Sequence, residues 1–167
     1  MKRRCLLIST VWKIPFFEKA MRCGIGKKEQ VSYPSKYYYT DTGLLNSRLH
    51  FTNLDESRIM ENIVYNELRS RGYQVDLGVG PIKAGNDERT KHIARNVTEF
   101  IVDSGGNRYY IRCSPYADES ETWAGLHAGD SSGKILVTKS PSHPGFDEES
   151  ILHVGICDFL LDKSLLD

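Results

Sequence analysis

The amino-acid sequence predicts an α/β protein: a mixed β-sheet flanked by helices and preceded by a basic β-hairpin. Three observations predict it: a helical apolar pattern after residue 55, a glycine-rich hairpin turn near residue 105, and a strand–helix–strand order towards the end. The 167 residues are 40% hydrophobic, enough for a buried core without a disulfide or metal. No apolar run approaches the roughly 20 residues that span a membrane, and the globular composition is without low-complexity tracts, collagen-like triplets or internal repeats, so membrane-spanning, fibrous and wholly disordered classes are excluded.

The first 46 residues form the basic part of the chain. They carry nine Lys or Arg against three acidic residues, whereas residues 47–167 have an excess of acids, although the whole chain has no net charge. Extended runs at Val11 to Phe17 and Glu29 to Tyr39, around a turn at 24–28, predict a β-hairpin. A basic lobe of this kind could bind DNA. Attraction between the two parts of the chain, or contact with a part now missing, are the alternatives.

The clearest helix runs from Asp55 to Arg71. Asp55 is placed to cap it and Gly72 to close it. Glu61 lies at the edge of its apolar face and Glu67 lies within that face. For Glu67 the sequence leaves open a buried catalytic carboxylate or a buried salt bridge to an arginine. The apolar face itself consists of Ile59, Met60, Ile63, Val64 and Leu68.

Strands and further helices follow in an order that can be predicted from pattern alone. Ser104 to Asn107 is a strong hairpin signal between two of the strands. A strand–helix–strand crossover near the end predicts parallel pairing there, beside the antiparallel hairpin. The order α-β-β-β-α-β, followed by β and α, matches the core of the restriction-endonuclease-like fold. The predicted strands are 73–79, 97–103, 109–114, 134–139 and 151–156, and the predicted helices are 118–127 and 158–165.

A degenerate nuclease-like site is predicted on the helix and the hairpin. A metal-dependent nuclease needs carboxylate ligands and a base or charge-stabilising lysine. Glu99 lies on the first hairpin strand, and Glu61 on the preceding helix could add a second carboxylate. Arg112 and Ser114 are one residue apart on the next strand, so they share a side. They stand where a metal ligand and a lysine are required, and Arg112 would repel a divalent metal or form a salt bridge with Glu99.

These segments together resemble the carboxy-terminal domain of a large family of prokaryotic AAA-type ATPases. That domain is a restriction-endonuclease-like domain of unknown function. The resemblance implies that Glu61 corresponds to the glutamate of the family's Glu-Asn-x-Val motif, and Glu99 to the aspartate of its Glu-Val-Asp-Phe motif. It implies that residues 112–114 replace the family's Gln-or-Glu-x-Lys-or-Ser strand. The matching segments are Lys36 to Leu44, Met60 to Leu68 with Arg71 to Tyr73, Glu99 to Val102, Tyr110 to Ser114, and Cys157 to Asp162.

The ATPase part of that family is not found in this sequence. The nearest approach to a phosphate-binding loop is Ala128 to Lys134, which lacks the first glycine and is followed by Ile135 instead of Ser or Thr. Residues before about 46 resemble the end of the winged-helix region that joins the ATPase to this domain. The division is therefore a hairpin or linker remnant at 1–46 and a restriction-endonuclease-like domain at 47–167.

Three functions compete on these observations. The favoured one is a noncatalytic interaction module without a cofactor, whose partner is DNA bound through residues 1–46, a separate ATPase chain or a second copy of itself. The alternative is a DNA nuclease that binds Mg²⁺ or Mn²⁺ through Glu61 and Glu99. The third is a decayed fragment.

Four scattered cysteines without a Cys-x-x-Cys pair favour the reducing cytoplasm. Tyr37, Tyr38 and Tyr39 could stack on bases or alternate between core and hairpin packing.

Overall fold

The computed structural model describes residues 16–24, 35–48, 55–79, 99–115, 133–140 and 144–166. Over these ranges the chain is a mixed α/β structure in which eight strands form one sheet. The strands are β1 (Phe17–Gly24), β2 (Lys36–Tyr39), β3 (Val75–Val79), β4 (Glu99–Ser104), β5 (Asn107–Ser114), β6 (Gly133–Thr138), β7 (Gly145–Phe146) and β8 (Ile151–Gly155). The helices are α1 (Thr42–Arg48), α2 (Glu56–Ser70) and α3 (Ile156–Leu161).

The sheet is mixed, with the order β2-β1-β3-β4-β5-β6-β8-β7. Its centre, β3-β4-β5, is antiparallel. Strands β5, β6 and β8 run parallel, as the predicted crossover requires, and β1 runs parallel to β3. The predicted mixed sheet is therefore confirmed. Within the described ranges, none of the helices has the length and apolar character needed to cross a membrane.

Helix α2 begins and ends where local sequence signals predict. The Asp55 carboxylate accepts a hydrogen bond from the Arg58 backbone N–H at 3.3 Å. At the other end Gly72 adopts φ +89°, a left-handed conformation that suits glycine. The Tyr73 N–H then donates to the Leu68 carbonyl at 3.1 Å, which satisfies one of the last helical acceptors.

The main core lies between the sheet and helices α2 and α3, on what we call the helical face. Alternate strand residues point to opposite faces of a sheet. The opposite, or far, face carries a smaller cluster. Buried residues of the helical face include Met60, Val64, Leu68 and Phe159 from the helices and Phe100, Val102, Ile111, Ile135 and Val137 from the strands. The far-face cluster consists of Ile101, Tyr110, Leu136 and Ile151.

Glu67 forms a salt bridge, which is one of the two interpretations that the sequence allows. Arg71 Nε lies 2.8 Å from Glu67 Oε1, and the Arg71 side chain is only 7% exposed. The same guanidinium donates to the carbonyls of Phe159 and Asp162, at 2.5 and 2.9 Å. Arg71 therefore joins the end of α2 to the end of α3 and supplies donors for carbonyl groups that a helix terminus leaves without partners.

The amino-terminal hairpin is present, but its first strand is shifted along the chain. Strands β1 and β2 pair antiparallel, with Phe17 opposite Tyr39. Strand β1 starts where the first extended run was predicted to end. Its residues do not alternate between apolar and polar, so its conformation is set by pairing with both β2 and β3 instead of by local pattern. Residues 1–15 and 25–34, with most of the predicted turn, lie outside the described ranges, as does the predicted helix 118–127.

A short helix that the sequence analysis did not predict starts after Asp41. The Asp41 carboxylate accepts from the backbone N–H groups of Gly43 and Leu44, at 2.6 and 3.3 Å, and α1 follows. An aspartate in this position is a preferred helix cap. The predicted domain boundary at residue 46 lies within α1, and strands on both sides of it belong to the same sheet.

Candidate functional site

Glu61 is held on the helical face by two side chains of strand β2. Lys36 Nζ donates to its two carboxylate oxygens at 2.5 and 2.6 Å, and the Tyr38 hydroxyl donates to Oε1 at 2.5 Å. The Glu61 side chain is 12% exposed and that of Lys36 is 29% exposed. We call Lys36, Tyr38 and Glu61 the Glu61 cluster. Both oxygens of the carboxylate are engaged within it.

Burial and the negative charge of Glu61 keep the Tyr38 hydroxyl and the Cys113 thiol protonated. Burial raises the pKa of Tyr38 far above its usual value, and the negative charge of Glu61 raises it further. The hydroxyl therefore remains a donor to the carboxylate. Burial also raises the pKa of the Cys113 thiol, Glu61 adds to the shift and Lys36 opposes it. Because the thiolate is the reactive form, Cys113 is a poor nucleophile at neutral pH.

The residue after Glu61 fixes α2 to the same strand through the backbone. The Asn62 side chain accepts from the Tyr39 N–H at 2.8 Å and donates to the Tyr39 carbonyl at 2.7 Å. Asn66, one turn later, also donates to the Tyr39 carbonyl, at 2.9 Å. In addition, the Tyr38 ring stacks on Tyr65, with centroids 4.0 Å apart. Two of the segments that carry the family resemblance, the tyrosine-rich run and the Glu-Asn helix, therefore contact each other.

Arg112 and Ser114 share a side of β5, as predicted, but that side is not the one Glu61 occupies. Arg112 lies opposite Leu136, a member of the far-face cluster, and Ser114 lies opposite Thr138. Both are almost completely buried, with 2% and 1% exposure. Cys113, between them, is the residue of this triplet that packs against the core of the helical face.

For Glu99 the structure gives the position of the backbone. It begins β4 and lies directly opposite Arg112 in the antiparallel register, as the predicted hairpin requires. Its side chain lies outside the described part of the chain. The structure therefore brings Glu99 and Arg112 into adjacent strand positions, while Glu61 binds Lys36 and Tyr38 on the helical face.

Among the described residues, the Glu61 carboxylate is already occupied by other partners and is not free to bind a divalent metal. Such a metal needs several oxygen ligands that are free to coordinate it. The carboxylate of Glu61 already binds an ammonium group and a hydroxyl, and on the other face of the sheet the positively charged Arg112 lies opposite Glu99. Across the described ranges, His, Cys, Asp and Glu form no group of three or more with metal-binding geometry.

A second titratable pair lies in the β7–β8 hairpin. Asp147 Oδ1 accepts from the backbone N–H groups of Glu149 and Ile151, both at 2.9 Å, and Oδ2 lies 2.7 Å from His153 Nε2. Burial would raise the pKa of Asp147, but the hydrogen bonds from Ile151, His153 and Glu149 outweigh it and lower the pKa. These contacts organise a turn in which Ser150 adopts φ +59°.

Sequence reasoning missed Lys36 and Tyr38 as the partners of Glu61. Their spacing of two residues on a strand does indicate that they share a face. However, the sequence separation of 25 and 23 residues from Glu61 gives no local signal for the contact. Tyr38 packs in the core while its neighbour Tyr37 is exposed, so the alternating interpretation of the tyrosine run is confirmed.

Comparisons with known proteins give one similar sequence. An uncharacterized protein of Haemophilus influenzae is 32% identical to this chain over 124 residues. The alignment covers 73% of this chain but 28% of that protein, so the chain matches less than a third of the relative's length. No family model matches the chain, and no solved structure matches it.

Proposed function

We propose that this chain is a noncatalytic interaction module of the cytoplasm with a restriction-endonuclease-like architecture and a degenerate nuclease-like site. It acts as the carboxy-terminal piece of an AAA-type ATPase or beside a separate ATPase chain. The order α2-β3-β4-β5, followed by β6 parallel to β5, supports the architecture. Because a fold does not by itself imply a function, the proposal depends on the site residues.

The main support for the proposal is that both carboxylate oxygens of Glu61 already have partners within the protein. A catalytic carboxylate must be able to leave its resting partners for metal or water. Glu61 instead binds Lys36 and Tyr38 with both oxygens, and the next residue, Asn62, binds the backbone of the same strand. These contacts hold α2 on β2, which is a structural role. The buried Arg112 on the other face of the sheet adds a second argument against a metal site.

The partner that the charge favours is DNA. Residues 1–46 have nine basic and three acidic side chains, and a basic surface attracts the phosphate backbone whatever its sequence. The match to one part of a longer relative supports a module that works together with other domains.

A nuclease assay tests the noncatalytic proposal. Single-stranded, duplex and branched DNA are incubated with the protein and Mg²⁺ or Mn²⁺, using wild type, Glu99→Ala and Glu56→Ala. Glu56 is the matched control because it is an exposed acid of α2 whose ion pair with Lys139 lies at the surface. We expect the three proteins to be equally inactive. Metal-dependent cleavage that Glu99→Ala abolishes and Glu56→Ala retains would make the chain a nuclease.

A further inference from the structure

An aromatic and basic patch covers the outer side of the β1–β2 pair. Tyr38 points into the core, so Tyr37 and Tyr39 project from the other side of β2. Opposite them in the antiparallel register lie Lys19 and Phe17, respectively. We call Phe17, Lys19, Tyr37 and Tyr39 the aromatic patch. It lies on the far face of the sheet, away from the Glu61 cluster.

The rings of the aromatic patch contact one another, and one of them, Tyr37, is open to solvent. Phe17 meets Tyr37 edge to face, with centroids 5.6 Å apart at 85°, and meets Tyr39 at 6.2 Å and 62°. Such pairs restrain both rings. Tyr37 is nevertheless 50% exposed, and Lys19 beside it is also exposed. Met21, the next residue on this side of β1, is 42% exposed and lies opposite the half-buried Asp76, which marks the acidic margin of the patch.

We propose that the aromatic patch binds single-stranded DNA, with a base stacked on Tyr37 and a phosphate paired with Lys19. The inference rests on the proposed interaction module and names its binding surface. Aromatic side chains stack on unpaired bases of any sequence, and nearby cations hold the backbone. The patch belongs to the first 46 residues of the sequence, which carry nine basic against three acidic side chains, a net charge opposite to that of DNA.

Single strands fit this surface better than duplex DNA. The bases of a duplex are stacked on each other, so a protein ring reaches a base face only after an unstacking cost. A half-exposed tyrosine needs no such step when the base is already unpaired. Selectivity for single strands therefore separates stacking on Tyr37 from simple attraction to phosphate.

The test measures binding of the whole chain to labelled oligothymidylate of about 12 nucleotides by fluorescence anisotropy. A duplex of the same length and an oligouridylate are the comparison ligands. We expect Tyr37→Ala to weaken oligothymidylate binding about tenfold, because the loss of one base–aromatic stack reduces affinity by about this factor. Tyr37→Trp should retain binding, because it keeps an aromatic ring at this position. Phe146→Ala is the matched control, since Phe146 is an aromatic residue with 75% exposure on β7 at the opposite edge of the sheet. It should bind as wild type does.

Lys19 gives a second readout. Replacing it with Gln should reduce the slope of log affinity against log salt by about 0.7, the value for one phosphate contact on a single strand. Circular dichroism confirms that each variant is folded. The proposal is overturned by equal binding of duplex and single strand, by stronger binding of oligouridylate, by no binding, or by a folded Tyr37→Ala that binds as wild type.

Light scattering tests whether a second copy of the chain, instead of DNA, binds the aromatic patch. A wild-type dimer that Tyr37→Ala converts to monomer would assign the surface to a second copy of the chain and overturn the DNA proposal. Failure here is distinguishable from failure of the proposed function, because cleavage depends on Glu99 and metal whereas the binding assay contains no metal and depends on Tyr37.

Discussion

Replacement of Glu61 by alanine should destabilise the protein by about 2–4 kcal/mol. The Tyr38 hydroxyl, on a residue only 2% exposed, would lose its acceptor, and an unsatisfied buried donor costs about 1–3 kcal/mol. Lys36 would lose its counter-ion. Breaking a fully buried pair costs about 3–5 kcal/mol, but the Lys36 side chain is 29% exposed and can rehydrate, so we assign it about 1 kcal/mol.

The assay is urea denaturation followed by far-UV circular dichroism. Glu56→Ala is the matched control on the same helix, because its partner Lys139 and Glu56 itself are 61% and 58% exposed. Such a surface pair contributes about 0.2–1 kcal/mol. If Glu61→Ala costs no more than Glu56→Ala, the carboxylate does not hold α2 on β2 and the reasoning is refuted.

A double-mutant cycle with Lys36→Met separates the ion pair from the tyrosine contact. We expect a coupling of about 1 kcal/mol between positions 36 and 61, since groups in direct contact do not behave additively. Additive effects would show that the 2.5 Å contact contributes nothing to stability.

Three further perturbations test the neighbouring contacts. Asn62→Ala should cost about 1–3 kcal/mol in urea denaturation, because the Tyr39 N–H loses its acceptor while the Tyr39 carbonyl keeps the hydrogen bond from Asn66; a cost near zero would contradict this. Arg71→Met should cost about 3 kcal/mol in the same assay, since it leaves a partly buried Glu67 unpaired and removes the donors to α3; an unchanged midpoint would contradict it. Asp147 has a folded pKa below its unfolded value of about 3.9, so its stabilisation is present above that pH and is lost as the pH falls through the folded pKa. The pH dependence of stability should therefore become shallower at acidic pH in Asp147→Asn. An unchanged profile would contradict a lowered pKa of Asp147 in the folded protein.

Local signals predicted the parts of the fold that local physics controls. The Asp55 cap, the left-handed Gly72 and the tight turn at Gly105 and Gly106, with φ +58° and +86°, all act within a few residues. Strand β1 was misplaced because its residues carry polar and apolar side chains on both faces. Its conformation depends on β2 and β3, which lie far away in sequence.

The candidate site was predictable only in part for a related reason. Alternation along β5 correctly put Arg112 and Ser114 on one side. Which face of the sheet α2 would cover is a property of the assembled core, and the sequence does not encode it locally. Glu61 therefore meets Lys36 and Tyr38, and the far face receives Arg112.

Titration with Mn²⁺, followed by electron paramagnetic resonance, tests most directly whether Glu61 is structural or a metal ligand. Free Mn²⁺ gives a strong signal that is lost on binding, so any site is counted without reference to activity. We expect the same free Mn²⁺ signal for wild type and Glu61→Gln at every concentration, because the carboxylate is already bound by Lys36 and Tyr38. A stoichiometric Mn²⁺ site in the wild type that disappears in Glu61→Gln would contradict it.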